Sequence, residues 1–84
     1  MSRKLYVGNL PFTTGSDDLR RMFSEHGTVD DAIVISDRET GRSRGFGFVE
    51  MSTSEEATAA IEAMNGADIG GRQLNVNIAR ERSR

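Results

Sequence analysis

The sequence predicts an α+β domain in the order βαββαβ, with four antiparallel strands in one sheet and two helices on one of its faces. Two observations carry that reading. Three short segments alternate apolar and polar residues, the period of a half-buried strand, and a fourth is rich in β-branched side chains. Between them, two segments place apolar residues at i, i+3 and i+4 behind helix-start signals, the period of an amphipathic helix.

Lys4-Leu5-Tyr6-Val7-Gly8 forms the first strand and Asn9-Leu10-Pro11 ends it. Thr14 with Asp17 three residues on marks a helix start, and acidic Asp17 and Asp18 suit the positive end of a helix dipole. Leu19, Met22 and Phe23 line one face of this helix, and Gly27 after His26 stops it. Residues 29–36 are rich in β-branched side chains and read as the second strand. A polar loop from Asp37 to Ser43 leads to a third strand, Gly45 to Met51. Thr53 and Glu56 have capping-box spacing and open the second helix, whose apolar positions are Ala57, Ala60, Ile61 and Met64. Asn65-Gly66 closes it, Gly70-Gly71 makes a turn, and residues 73–79 alternate as the fourth strand. This order is that of the split-βαβ, ferredoxin-like sandwich, which leaves one sheet face open to solvent.

Composition bounds the function. With 84 residues there is room for one domain, residues 1–84, with a folded core of about 3–80 and a mobile tail at 81–84. There is no cysteine, so neither a disulfide framework nor a thiolate zinc site is expected. No apolar run reaches the ~18–20 residues of a membrane span, and the opening MSRKLYVGNL lacks a signal-peptide core. The expectation is a soluble monomer with no membrane partner, cytoplasmic, or nuclear in a eukaryote. Net charge is −2, which taken alone argues against a nucleic-acid partner. Its distribution argues otherwise. Segments 1–13, 32–49 and 69–84 carry +2, +1 and +3, whereas segments 14–31 and 50–68, which hold the helices, carry −3 and −5.

Alternation puts Arg44, Phe46, Phe48 and Glu50 on one face of the third strand, and Gly45, Gly47, Val49 and Met51 on the other. A face bracketed by charges is costly to bury, so Phe46 and Phe48 belong on the solvent side. By the same alternation Leu5 and Val7 point inward and Lys4, Tyr6 and Gly8 outward. In the fourth strand Leu74, Val76 and Ile78 point inward, and Asn75, Asn77 and Ala79 outward. The second strand is open: either Ala32 with Val34 or Ile33 with Ile35 faces the core. Tyr6, Phe46 and Phe48 thus lie on an exposed sheet beside cations and amides. Flat rings interleaved with cations are a surface for unstacked bases, and each base–aromatic stack is worth ~1–3 kcal/mol.

These residues resemble the RNA recognition motif family. Arg44-Gly45-Phe46-Gly47-Phe48-Val49-Glu50-Met51 matches the family's octapeptide at every position but the last, where Met51 replaces an aromatic residue on the core side. Leu5-Tyr6-Val7-Gly8-Asn9-Leu10 is similar to its hexapeptide, and the loop Asp37 to Arg42 is similar to that of small bacterial, cyanobacterial and plant glycine-rich RNA-binding proteins. The resemblance implies that Tyr6 and Phe48 each stack a base, that Phe46 inserts between sugars, and that Arg44 pairs with a phosphate. It implies that Asn75, Asn77 and the backbone near Ala79 and Arg80 read base edges, helped by Glu50 and Lys4. Arg38, Arg42 and Arg82 would add phosphate contacts. It also favours Ala32 and Val34 as the core pair of the second strand. The ligand implied is single-stranded RNA, with single-stranded DNA an alternative because stacking does not read the 2′-hydroxyl. The role implied is in RNA processing, stability or chaperoning.

Other classes fit less well. His26 is the only histidine and stands at a helix end with no nucleophile–base pair in the sequence, so no enzyme, cofactor or metal is expected. Acylphosphatases share the topology but need an arginine after the first strand, and residues 9–14 offer none. A protein-binding module is the closer rival, since exposed aromatics also serve as interface hot spots.

Overall fold

The computed structural model describes residues 3–79. The chain runs β1 (Lys4–Gly8), α1 (Ser16–Ser24), β2 (Val29–Ser36), β3 (Ser43–Met51), α2 (Ser54–Met64), β4 (Asp68–Ile69), β5 (Arg72–Gln73) and β6 (Asn75–Ile78). The main sheet is antiparallel in the order β2-β3-β1-β6, so the two strands bearing the exposed rings lie at its centre. Both helices cover one face. Leu5, Val7, Val49, Met51 and Val76 from the sheet meet Leu19 and Phe23 of α1 and Ala57, Ala60 and Met64 of α2 in one buried cluster. Ala32 and Val34 pack against this cluster and Ile33 is exposed, which settles the facing of β2. Gly47 permits the close approach of β2, since a Cβ there would meet the Ile33 carbonyl oxygen and fall 3.0 Å from Val34 Cα.

Several expectations are corrected. The first helix begins at Ser16, not Thr14; Gly15 is its N-cap, and its amide donates to Asp18 Oδ2 at 3.0 Å. Glycine supplies no side-chain acceptor, so the acid at the third helical position makes the cap from the other side. The Ser16 hydroxyl turns instead to the sheet, accepting from the Val34 amide at 3.0 Å. The second helix opens as expected, with Thr53 Oγ1 accepting from the Glu56 amide at 3.1 Å. Its Ile61 is only partly buried.

The region expected to be one strand from 73 to 79 is a small hairpin followed by a shorter strand. Gly70 (φ 59°) and Gly71 (φ 84°) both adopt left-handed backbone, the geometry of a tight two-residue turn, and they fold β4 onto β5. Pairing with β1 begins at Asn75 and ends at Ile78. Past that point alternation no longer holds. Ala79, expected outward, is 7% exposed, and its amide donates to the Lys4 carbonyl at 2.8 Å. Ile78, expected in the core, is 42% exposed, because it ends an edge strand with a neighbour on one side only.

The polar loop between β2 and β3 is hydrogen-bonded to itself. Asp37 Oδ1 accepts from the Glu39 amide at 2.7 Å and the Thr40 amide at 3.3 Å, while the Asp37 amide donates to the Arg42 carbonyl at 2.7 Å. An aspartate bonding the backbone two residues on is a local turn, and it closes the loop on itself.

Candidate nucleic-acid interface

The open face of the sheet carries three rings in a triangle. Tyr6 and Phe46 have centroids 5.9 Å apart at 32°, Tyr6 and Phe48 are 6.1 Å apart at 65°, and Phe46 and Phe48 are 6.1 Å apart at 90°. The register explains the grouping: Tyr6 lies opposite Phe48, and Gly8 opposite Phe46. All three rings are half-buried, held by one another at their edges. Gly8 supplies the space for Tyr6, since a Cβ on Gly8 would stand 2.6 Å from the Tyr6 hydroxyl oxygen. The tyrosine ring therefore lies along its own strand.

Polar groups surround the triangle. Lys4 Nζ is 5.3 Å from the centroid of Phe48, within cation–π range. Asn77 pairs with Tyr6 and Asn75 with Gly8 across β1 and β6, and both are exposed. Glu50 lies opposite Lys4. Its carboxylate accepts from Arg3 Nη2 at 3.1 Å, while Arg3 Nη1 reaches Asp30 Oδ2 and the carbonyls of Met51 and Ser52, each at 3.2 Å. Arg3 is absent from the expected site, yet it ties the ends of three strands together and balances the acid on the platform. Its partners lie 27 to 49 residues away in sequence, out of reach of any local pattern.

Arg44 is exposed on β3, beside an irregularity in the strand. Gly45 has φ 83°, its amide donates to Ser43 Oγ at 3.0 Å, and the pairing of β3 with β2 shifts between Val34 and Ser36. β3 thus carries an irregularity beside Arg44, whose side chain is exposed as expected. Arg38 and Arg42 are exposed on the closed loop. Arg80 and Arg82 lie outside the described residues, as does the tail at 81–84. The backbone near Ala79 is partly engaged, its amide being bonded to Lys4. Among the described residues, no group of three or more His, Asp or Glu stands close enough to hold a metal, and no helix is long and apolar enough to cross a membrane.

One exposed ring went unassigned from sequence. Phe12, in the loop after β1, is 64% exposed, and the Arg72 guanidinium lies 5.4 Å from its centroid. A loop residue has no strand or helix period to reveal its direction, so no pattern marked it.

A ferredoxin-like sandwich whose two central strands present a ring triangle to solvent is the architecture of an RNA recognition motif. The chain belongs to that family: the model of the RNA recognition motif matches residues 5–75. Among its relatives, RNA-binding protein CP31B, chloroplastic, of Arabidopsis thaliana is 58% identical over 96% of this chain and 28% of its own length. Glycine-rich RNA-binding protein 4, mitochondrial, of the same plant is 52% identical over 99% of this chain and 61% of its own. The chain thus spans between about a quarter and three-fifths of these relatives. Among solved structures, that of RNA Binding Protein PG1 has a TM-score of 0.91 at 47% identity and covers 99% of this chain and 100% of that one. The Sxl-lethal protein/RNA complex has a TM-score of 0.86 at 38% identity, covering 92% of this chain and 47% of that one.

The relatives overturn one expectation. The cytoplasmic placement is corrected by the chloroplastic and mitochondrial proteins just named, and by a spinach 28 kDa ribonucleoprotein, chloroplastic, 54% identical over 99% of this chain and 36% of its own length. Burial and helix pattern record how a domain folds; a compartment's address is read from other signals.

Proposed function

We propose that this domain binds single-stranded RNA on the open face of its sheet, as a monomer and without catalysing a reaction. The observation that carries this reading is the ring triangle of Tyr6, Phe46 and Phe48 on the two central strands, flanked by Lys4 and by two exposed asparagines. Tyr6 and Phe48 would each stack a base and Phe46 would contact sugars. Asn75, Asn77 and Glu50 would meet base edges, and Arg44, Arg38 and Arg42 the phosphates. Family membership supports this, as do relatives solved with RNA, including the Rna15 RRM with bound RNA (GU) at a TM-score of 0.87 and 28% identity. Members of this family generally act as binding modules. A role in RNA processing, stability or chaperoning follows from the same chemistry, and single-stranded DNA would share the stacking contacts.

The test is a titration with short single-stranded RNA homopolymers at low salt, followed by amide shifts. Shifts concentrated on Tyr6, Arg44, Phe46, Phe48 and β6 are expected; none with any homopolymer would turn the reading toward a protein partner. A second expectation concerns charge. Arg44→Ala should flatten the slope of log affinity against log salt by about one phosphate, or ~0.7 for a single strand. An unchanged slope, measured by anisotropy from low to moderate salt, would remove Arg44 from the phosphate set.

A further inference from the structure

We propose that Arg3 is a positioning residue that sets the base preference of the platform. By fixing the Glu50 carboxylate beside Phe48, it makes that stacking place favour a base with an exocyclic amino group over uracil. The inference rests on the RNA-binding reading above and adds selectivity to it.

The acid at position 50 is the feature that needs a cause. Glu50 stands two residues past Phe48 on β3, so it shares the open face with that ring, one strand repeat of about 6.6 Å further on. Asp31 of β2 lies directly opposite it, and like charges facing each other across strands destabilise a sheet. A carboxylate here also repels the phosphates of a bound strand. Neither packing nor phosphate binding accounts for it.

Arg3 is arranged to hold this acid in place. Its Nη2 donates to Glu50 Oε2 at 3.1 Å, while Nη1 is spent on Asp30 Oδ2 and the carbonyls of Met51 and Ser52. Asp30 reaches the guanidinium where the pairing of β2 with β3 shifts between Val29 and Asp31, an irregularity of the kind that re-aims a side chain. Ser52 Oγ donates to Asp30 Oδ1 at 2.6 Å and steadies it from the other side. The Arg3 and Glu50 side chains are 42% and 38% exposed, where an ion pair adds little to stability. The larger effect of the pair is on where the carboxylate points.

A carboxylate only accepts hydrogen bonds. Cytosine offers such an acceptor its N4 amino group, whereas uracil places a carbonyl oxygen at that position. Held by Arg3, Glu50 meets the edge of a base stacked on Phe48 with an acceptor in a fixed place. A base with an amino group gains a charge-assisted bond there, and uracil turns one acceptor toward another.

The test compares oligocytidine and oligouridine of about four nucleotides, equal in ring size and phosphate number, on the full chain and its variants. Wild type should bind oligocytidine more tightly by roughly 5- to 10-fold. Arg3→Gln should bring the two affinities close together. Arg3→Lys keeps the charge without the two-pronged geometry and should restore the preference in part. Glu50→Gln should abolish it, since an amide donates as well as accepts, and adding Arg3→Gln to that variant should change the ratio no further. Equal affinity of wild type for the two RNAs, or tighter binding of oligouridine, would overturn the proposal. So would an unchanged ratio in Arg3→Gln, whether or not the thermal midpoint falls, and Arg3 would then be a brace between strands. A uniform loss on both RNAs, with the salt slope flattened by ~0.7, would make Arg3 a phosphate contact instead. If Arg3→Gln does not fold, Arg3→Lys and Glu50→Gln carry the comparison by the same ratio. No binding of either RNA by wild type, or no loss on either with Phe48→Ala, would remove the platform reading itself.

Discussion

Phe48→Ala is expected to weaken single-stranded RNA binding by about 1–3 kcal/mol, while the domain stays folded. The ring stands at the centre of the open face, opposite Tyr6 in β1 and Ile33 in β2. Around it on the open face stand Tyr6 and Phe46, each 6.1 Å away by ring centroid, and Lys4 Nζ at 5.3 Å. None of these is a core contact. The neighbours Gly47 and Val49 face the buried side and are untouched by the change. Losing a cross-strand aromatic pair on a solvent face costs ~0.5–1.5 kcal/mol of stability, a fraction of the total. Anisotropy with a labelled short RNA, alongside a thermal melt, separates the two effects. A variant that is unfolded at 25 °C would mean that the ring holds the fold together and that the binding face lies elsewhere.

The opposite separation is expected at Phe23. This ring is fully buried, and with Leu19 it is one of the two buried side chains that α1 contributes to the core. Phe23→Ala should cost about 3–5 kcal/mol, the lost transfer energy plus the cavity left between helix and sheet. At ~0.05–0.15 kcal/mol per residue, a domain of this size has a total stability of the same order. The variant should therefore sit near its unfolding midpoint close to body temperature, with RNA affinity per folded molecule unchanged. Urea unfolding measures the first and a titration at low temperature the second. A loss under ~1 kcal/mol would show that α1 is not anchored through this ring. Ile61 in α2 is only partly buried and should give a smaller loss.

The contrast between Phe48 and Phe23 was legible in the sequence, because strand alternation and helical spacing each assign a side chain to a face. The same rule placed β1 and β2 at their observed boundaries and put Val7, Val49 and Val76 in the core. It failed where alternation itself ends. Pairing stops at Ile78, so Ala79 does not follow the pattern of its neighbours. Phe12 in its loop and Arg3 with its distant partners had no periodic signature at all. The Gly70-Gly71 pair did carry the signal of a tight hairpin, since a Gly-Gly dipeptide suits a two-residue turn with positive φ at both positions. Reading it as a bare turn concealed β4 and β5.

The bond from the Val34 amide to the Ser16 hydroxyl has a consequence for behaviour in concentrated solution. β2 is an outer strand of the sheet, and an outer strand with a free row of amides invites another chain to add itself there. Here a helix residue occupies one of those amides, and shifts in pairing near Val29 and Val34 distort the row at both ends. The β2 border of the sheet is thereby a poorer template for growth. A chain adding itself along β2 would first have to displace the Ser16 hydroxyl from the Val34 amide.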